Sequence, residues 1–243
     1  MRKFHNIVKW ALVCSLMVVF LGGCASDKAL KKKPKKKENP PAELMEEGRS
    51  AYEDEYYLSA IESFQKIVDR YPYSKFYAEA ELKIADSYYY SMDYDAAFDA
   101  YTEFQRLHPK NPKIPYVLYQ KGQCHFSQVS TVDRDHSHTL HALEQFERLV
   151  KDFPKSEYSD QTHWKIRECY MKLAGSELYV GHFYFKMKKY KAAMTRYRYI
   201  LENFPDLGQY HEALEYLTKS EEKLAEEMNG EKKSRGGIFS IFN

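Results

Sequence analysis

The chain has 243 residues, of which 30% are charged and 16% aromatic, and its formal net charge is +2 at pH 7. The near-neutral sum hides an asymmetry, because ten basic residues and only one acidic residue lie before residue 38. The rest of the chain is therefore net negative. This argues against a nucleic-acid-binding domain, which normally presents a clustered positive face.

The N-terminus has the pattern of an export signal. Arg2, Lys3 and Lys9 form a positive region before the apolar run Trp10–Leu21, which is shorter than the roughly 20 residues that span a bilayer. The run ends in Leu-Gly-Gly-Cys at residue 24, which resembles the bacterial lipobox, whose cysteine is acylated and becomes the mature N-terminus. We predict a signal peptide over residues 1–23 and a lipid anchor at Cys24. An ordinary secretory signal is the alternative.

Residues 24–41 are predicted to be a tether. Seven lysines and three prolines lie between Asp27 and Pro41, and such a stretch repels itself and cannot form a core. Attraction of the lysines to anionic lipid headgroups is a second possible role. Ala25 and Ser26 follow the cysteine where lipoproteins of the inner membrane carry aspartate. The resemblance therefore implies a chain that is lipid-anchored at the periplasmic face of the outer membrane.

A repeat is visible at four prolines. An aromatic residue lies eight positions before each proline and an alanine lies twelve positions before it, and a small residue recurs in the preceding helix. This is the pattern of tetratricopeptide-like helical hairpins, in which small residues let paired helices approach closely and proline ends the second helix. The prolines are Pro72, Pro109, Pro154 and Pro205; the aromatics are Phe64, Tyr101, Phe146 and Tyr197; the alanines are Ala60, Ala97, Ala142 and Ala193; and the small residues are Gly48, Ala85, Gly122 and Gly181.

The spacing predicts an all-α, right-handed solenoid of about five hairpins over residues 42–228, with a capping helix at 209–228 and a flexible tail at 229–243. Two intervals break the pattern. The interval from Pro154 to Pro205 has room for two extra helices, predicted at 158–173 and 177–186. The turn before Ala142 is longer than the template and contains Asp133-Arg134-Asp135.

The lipobox, the five repeats, the Asp-Arg-Asp insertion and the run from Glu177 to Tyr184 together resemble the BamD family of outer-membrane β-barrel assembly lipoproteins. The resemblance covers almost the whole mature chain. It implies a scaffold that docks the POTRA domains of the barrel protein BamA, associates with other Bam lipoproteins and helps to deliver unfolded barrel proteins. It places partner docking in the last repeats, at Tyr179, His182, Arg196 and Arg198. Arg196 could instead pair with an acidic side chain of a neighbouring helix.

A substrate groove follows from tetratricopeptide geometry, in which concave-facing positions stand at fixed offsets from the small residue of the first helix. These positions are rich in aromatics and suit an extended peptide with aromatic side chains. Packing of each aromatic against the next hairpin is the alternative. The positions are Met45, Arg49 and Tyr52 in the first repeat, Leu82, Asp86, Tyr89 and Tyr90 in the second, and Tyr119, Gln123 and Phe126 in the third.

The sequence shows no catalytic constellation. It lacks a phosphate-binding loop, a nucleophile elbow and a serine–histidine–aspartate set. The histidines near the insertion lack the spacing of a zinc motif, and we predict no metal, no cofactor and no enzymatic activity. An enzyme that uses this insertion, and a repeat lipoprotein that serves as a secretin pilotin or a peptidoglycan-hydrolase adaptor, are the alternatives. The histidines are His125, His136, His138 and His141.

Two cysteines, Cys124 and Cys169, remain in the predicted mature domain. Each stands fifteen residues after a repeat-ending proline, where the other repeats carry Ser87 and Ser220. Neighbouring parallel helices lie about 8 to 10 Å apart, beyond the usual reach of a disulfide. We therefore predict two buried, free thiols at small-residue packing positions.

Overall fold

The structure, a computed structural model, describes residues 39–129, 136–205 and 207–239. A compact unit begins at Pro40, and its described residues form nine helices and no strand. The helices are α1 (Pro41–Glu53), α2 (Tyr57–Arg70), α3 (Tyr77–Tyr90), α4 (Tyr94–Leu107), α5 (Ile114–Phe126), α6 (Ser137–Asp152), α7 (Ser159–Lys186), α8 (Tyr190–Asn203) and α9 (Gln209–Phe239).

Each helix packs against the next along the chain, and α9 also contacts α7. Local pairing of consecutive helices is the arrangement of a repeat solenoid. The predicted all-α solenoid is therefore confirmed. The predicted signal peptide, Cys24, most of the tether and the Asp133-Arg134-Asp135 insertion lie outside the described residues.

The small residue of the first helix in each hairpin meets the aromatic ring of the second. A methyl group added at Gly48 would overlap the ring of Phe64, and one added at Gly122 would overlap the ring of Phe146. Gly181 stands in the same relation to Tyr197. Interiors are close-packed, so the residue that faces the ring must be small: it is glycine at these three positions and alanine in the second repeat, where Ala85 shares a core cluster with Tyr101.

The repeat template is confirmed at its other positions as well. All four template alanines and all four template aromatics are fully buried. Each second helix ends two residues before its proline. The N–H of the residue between them donates a last helical hydrogen bond, as Tyr71 N–H does to the Ile67 carbonyl and Phe204 N–H does to the Ile200 carbonyl.

The predicted pair of helices at 158–173 and 177–186 is wrong, because α7 runs without a break from Ser159 to Lys186. The two predicted helices left Ala174-Gly175-Ser176 as the turn between them. However, a glycine inside a helix is unfavourable by only about 1 kcal/mol relative to alanine. Ala174 is fully buried and Leu178 nearly so, and their burial outweighs that preference.

The predicted end of the last helix at Met228 is also wrong, since α9 continues to Phe239. The predicted tail starts at the pair Asn229-Gly230. Good helix-forming residues follow it in the sequence, and without a proline the chain can continue in the same conformation.

The prediction of two buried, free thiols is confirmed. Cys124 and Cys169 are fully buried and unpaired, and burial raises the pKa of each thiol to about 12. Ser87 and Ser220 are fully buried too, and their hydroxyls donate to carbonyls one turn earlier in the same helix. The equivalent positions therefore tolerate only small side chains.

Candidate protein-binding surfaces

Five tyrosines of the first two repeats form one connected aromatic surface, here called the tyrosine cluster. The centroid of the Tyr52 ring lies 5.7 Å from that of Tyr57 and 5.8 Å from that of Tyr90. Tyr90 contacts Tyr89 at 5.4 Å, and Tyr89 contacts Tyr94 at 5.5 Å. Tyr90 is 48% exposed. The cluster thus joins α1 to α4 and presents rigid rings to solvent.

Two charged residues, Lys83 and Asp86, border the tyrosine cluster. The Lys83 Nζ lies 4.5 Å from the centroid of the Tyr52 ring, a favourable cation–π arrangement. Burial and the nearby charge of Asp86 raise the pKa of Tyr52 far above its usual value. Arg49 of the same helix pairs with Glu79 of α3 at 2.7 Å. The phenol of Tyr52 therefore stays protonated and can donate a hydrogen bond to a ligand.

Asp86 lies beneath this surface as a buried hydrogen-bond acceptor. Its Oδ1 accepts from the hydroxyls of Tyr101 and Tyr116, and its Oδ2 is 3.4 Å from Lys83 Nζ. The side chain of Asp86 is only 5% exposed. Its geometry therefore makes Asp86 a support that orders α3, α4 and α5, with little surface left for an external ligand.

The predicted groove residues of the third repeat pack mainly within the array. The Tyr119 ring lies 5.9 Å from Phe146 and 5.7 Å from Tyr158, so it contacts the start of the next hairpin. Phe126 lies 6.4 Å from Phe146 and has Lys165 Nζ 4.4 Å from its ring centroid. Tyr119 therefore packs against the next hairpin, which was the alternative to a place in the groove.

The amide of Gln123 joins these rings, because its Nε2 donates to the Tyr119 hydroxyl over 3.2 Å. Its Oε1 is buried and has no hydrogen-bond partner among the described residues. Leu82 is half-buried against the core between the second and third repeats. The assignment of Met45 to the groove is wrong, since its side chain is 1% exposed. It lies inside the first hairpin, where it packs with Phe64.

Two members of the tyrosine cluster, Tyr57 and Tyr94, are absent from the predicted groove. Both are the first residue of a second helix, and Tyr190 occupies the same place in α8. A tyrosine directly after the turn therefore recurs in the repeat; Tyr57 and Tyr94 contribute to the cluster, whereas Tyr190 is buried. The predicted groove lacks these tyrosines because the tetratricopeptide offsets refer only to the first helix of each hairpin.

Exposed apolar side chains recur along α7 and at its C-cap, at spacings of four, seven and eight residues. Tyr179 is 70% exposed and Phe183 is 55% exposed. Residues at these spacings share one side of a helix, so they form a stripe along α7, here called the α7 stripe. The stripe consists of Trp164, Met171, Tyr179, Phe183 and Met187.

The other three predicted docking residues are engaged within the chain. His182 lies with Nδ1 3.0 Å from the Tyr197 hydroxyl and Nε2 3.1 Å from Glu212 Oε1. Arg196 pairs with Glu177 at 3.0 Å and Arg198 with Glu221 at 2.9 Å. The alternative foreseen for Arg196, pairing with a neighbouring acidic side chain, is what the structure shows. Only Tyr179 of this set is free to anchor a partner.

Three histidines face one another between α5 and α6. The ring centroid of His125 lies 5.1 Å from that of His141 and 5.8 Å from that of His138. Burial, together with the two neighbouring imidazoles, lowers the pKa of His125. Among the described residues, no group of three histidines, cysteines or carboxylates is arranged to hold a metal ion.

The fold defines a class, the tetratricopeptide-like helical repeat proteins. None of the helices in the described ranges combines the length and the hydrophobicity that a bilayer-spanning segment needs. A putative kinesin light chain from Podospora anserina with nearly identical tetratricopeptide-like repeats is 12% identical in sequence. The match has a TM-score of 0.45 and covers 79% of this chain and 99% of that one.

Sequence comparison is more specific. A family model described as outer membrane lipoprotein, YfiO, matches residues 37–235. The outer membrane protein assembly factor BamD of Rickettsia prowazekii is 33% identical over 86% of this chain and 82% of its own length. The BamD of Caulobacter vibrioides is 28% identical over 98% of this chain and 77% of its own length.

The chain therefore belongs to the YfiO, or BamD, family of outer membrane lipoproteins. The curated relatives are assembly factors, and this chain is likewise not an enzyme. The resemblance inferred from the lipobox, the repeats and the insertion is confirmed.

Proposed function

We propose that the chain is a lipid-anchored adaptor of outer-membrane β-barrel assembly. The tyrosine cluster of the first two repeats receives aromatic segments of unfolded barrel proteins. The last repeats dock the POTRA domains of a BamA-type barrel protein and neighbouring Bam lipoproteins. Acylated Cys24 holds the chain at the periplasmic face of the outer membrane. The curated relatives, which are outer membrane protein assembly factors, support this role.

The observation that carries the proposal is the tyrosine cluster. Its rings are held by mutual contacts at 5.4–6.0 Å, so little side-chain freedom remains to be lost when a ligand binds. Tyrosine offers both a large apolar face and a hydroxyl donor. Such a surface suits an extended strand whose alternate side chains are aromatic.

Docking of the barrel partner is assigned to one member of the α7 stripe, the exposed ring of Tyr179. An exposed aromatic ring of this size is a typical anchor at a protein–protein interface. The ion pairs of Arg196 and Arg198 with Glu177 and Glu221 tie α8 to α7 and α9. They hold the helices that support the stripe in fixed positions.

Substrate binding can be tested with a photo-crosslinking peptide that reproduces an aromatic-tipped barrel strand. The double variant Tyr52→Ala/Tyr90→Ala should lose the crosslink. The matched control is Tyr73→Ala, because Tyr73 is fully exposed and lies outside the cluster. Equal crosslinking in all three proteins would contradict the assignment of the cluster.

Partner docking can be tested by co-purification from membranes. Tyr179→Ala should reduce recovery of the BamA-type protein. Trp164→Ala is the matched control, since Trp164 is 69% exposed near the other end of α7. Depletion of the whole chain should lower the level of outer-membrane barrels. Unchanged barrel levels, or recovery of a secretin or a peptidoglycan hydrolase in place of the barrel protein, would overturn the proposed function.

A further inference from the structure

Three hairpins turn from their first helix to their second with the same backbone. In each turn one non-glycine residue has a positive φ: 63° at Glu55, 64° at Met92 and 58° at Lys188. The hydrogen bonds around these residues also repeat. The N–H of Tyr56 bonds to Ala51 O, and the N–H of Lys189 bonds to the equivalent carbonyl of Tyr184. Differences among the three turns therefore lie in their side chains.

The charge of these equivalent turns reverses along the array. The first turn reads Glu53-Asp54-Glu55, and the second reads Ser91-Met92-Asp93. The turn between α7 and α8, here called the lysine turn, carries four cations and no carboxylate. It reads Lys186-Met187-Lys188-Lys189-Tyr190-Lys191.

The backbone of this turn does not favour lysine. A positive φ favours glycine or asparagine, and the position before a helix favours a short oxygen-bearing side chain. Asp93 fulfils that second role in the second repeat, where its Oδ1 accepts from the Ala96 N–H over 3.2 Å. Lys189 makes no such bond. Lys188, Lys189 and Lys191 also place positive charge at the N-terminus of α8, where the helix dipole disfavours cations.

The four lysines are exposed, and no carboxylate of the described residues pairs with them. Met187 at the tip is 54% exposed, and Phe183, one helical turn before it, is 55% exposed. Apolar side chains surrounded by unpaired lysines are typical of surfaces that lie in a membrane interface. There the apolar groups enter the headgroup region and the ammonium groups pair with phosphates.

We propose that the lysine turn, with Met187 and Phe183, binds the anionic phospholipid surface of the membrane. Membership of a lipoprotein family places the chain beside such a surface, and lysines near anionic headgroups attract them additively. The lysine turn lies far along the chain from residue 24 and would add a second attachment to the membrane. This inference does not depend on the proposed docking of a barrel protein.

The test uses the full mature lipoprotein in vesicles, with Met187→Cys carrying an environment-sensitive fluorophore. Labelling is selective at neutral pH, because burial raises the pKa of Cys124 and Cys169 to about 12 and only thiolates react readily. We expect a blue-shifted, enhanced emission in vesicles that contain phosphatidylglycerol and none in pure phosphatidylcholine. The matched control is the same label at Met92→Cys, at the tip of the second turn, which should respond to neither vesicle.

The decisive variant is Lys188→Gly/Lys189→Asp, which removes two cations and introduces the residues that the backbone prefers. It should fold at least as stably as the parent, so a lost signal cannot be attributed to unfolding. In the unacylated Cys24→Ser chain, which keeps the lysine-rich tether, the same pair should lower partition into anionic vesicles by roughly tenfold or more. Unchanged partition would overturn the proposal. So would a probe at residue 187 that responds only when an acidic protein is added.

Discussion

The hydroxyl of Tyr101 on α4 donates to Asp86 Oδ1 on α3 over 2.7 Å. The hydroxyl of Tyr116 on α5 donates to the same oxygen over 2.8 Å. One buried carboxylate thus joins three consecutive helices, directly beneath the tyrosine cluster. Burial and this negative charge raise the pKa of both phenols, which therefore remain donors.

Removing the carboxylate should destabilise the array. In Asp86→Ala two buried hydroxyls lose their acceptor, and each unsatisfied group costs about 1 to 3 kcal/mol. We expect the free energy of unfolding to fall by about 2 to 6 kcal/mol, measured by urea denaturation. Asp86→Asn retains an acceptor oxygen and should lose less. Asp99→Ala, an exposed change on α4, should stay within about 0.5 kcal/mol of the parent; an equal loss there would contradict the role of Asp86.

The close approach of helix and ring can be tested at two glycines. Gly122→Ala places a methyl group inside the ring of Phe146, and overpacking of this kind typically costs about 1 to 3 kcal/mol. Gly175→Ala adds the same group where only Gln209 Nε2 lies near, at 3.8 Å. Because alanine favours a helix interior, it should stabilise by up to about 1 kcal/mol. Thermal unfolding should show opposite shifts, and shifts of the same sign would refute this packing.

The buried amine of Lys121 should make the free energy of unfolding depend on pH. Its side chain is buried, and burial lowers the pKa of the amine to about 8. As the pH rises, the Lys121 amine therefore loses its proton at a lower pH in the folded state than in the unfolded state. Between pH 8 and the usual lysine pKa near 10.4, the unfolded state binds more protons, and stability from this group rises with pH.

The variant Lys121→Met should accordingly be more stable than the parent at pH 7, by about 1 to 3 kcal/mol. This advantage should shrink toward zero near pH 10. Comparing the variant with the parent at each pH removes the contributions of the other titrating groups, and Lys110→Met serves as the exposed control. A difference that is constant with pH would contradict the assignment. The variant also removes the hydrogen bond to Gln105, 3.1 Å long, which reduces the gain.

His182 and Tyr179 should have separable roles. His182→Ala breaks the contacts to Tyr197 and Glu212, so amide exchange in α9 should accelerate while α1 to α4 stay protected. Tyr179→Ala should leave exchange unchanged and weaken partner recovery. If His182→Ala left α9 fully protected, the histidine would not be the link that holds this helix.

Much of the fold could be predicted from the sequence, because a repeated pattern of residues indicates a repeated arrangement of helices. Residues equivalent to Ala97, Tyr101 and Pro109 recur at the same offsets in the other repeats, and this recurrence predicted which helices pair. The break predicted between residues 173 and 177 is wrong, because the spacing of the prolines does not show whether the extra residues form one helix or two, and burial of Ala174 and Leu178 favours one. The end predicted at Met228 failed for a related reason, since neither asparagine nor glycine stops a helix that can continue.

The candidate surfaces were only partly accessible. The sequence placed Tyr52, Tyr89 and Tyr90 on one face but also included Met45, which lies in the core. It could not show that His182 and the two arginines find partners within the chain, because those partners are distant in sequence.

By itself the sequence determined the class of protein, since the pattern that predicts an export signal, the repeat spacing and the irregular features are all local patterns. The tertiary structure decided which side chains remain free. The exposure of a side chain depends on how neighbouring helices pack. Their packing leaves Tyr179 and the lysine turn at the surface, whereas His182 contacts other helices of the chain.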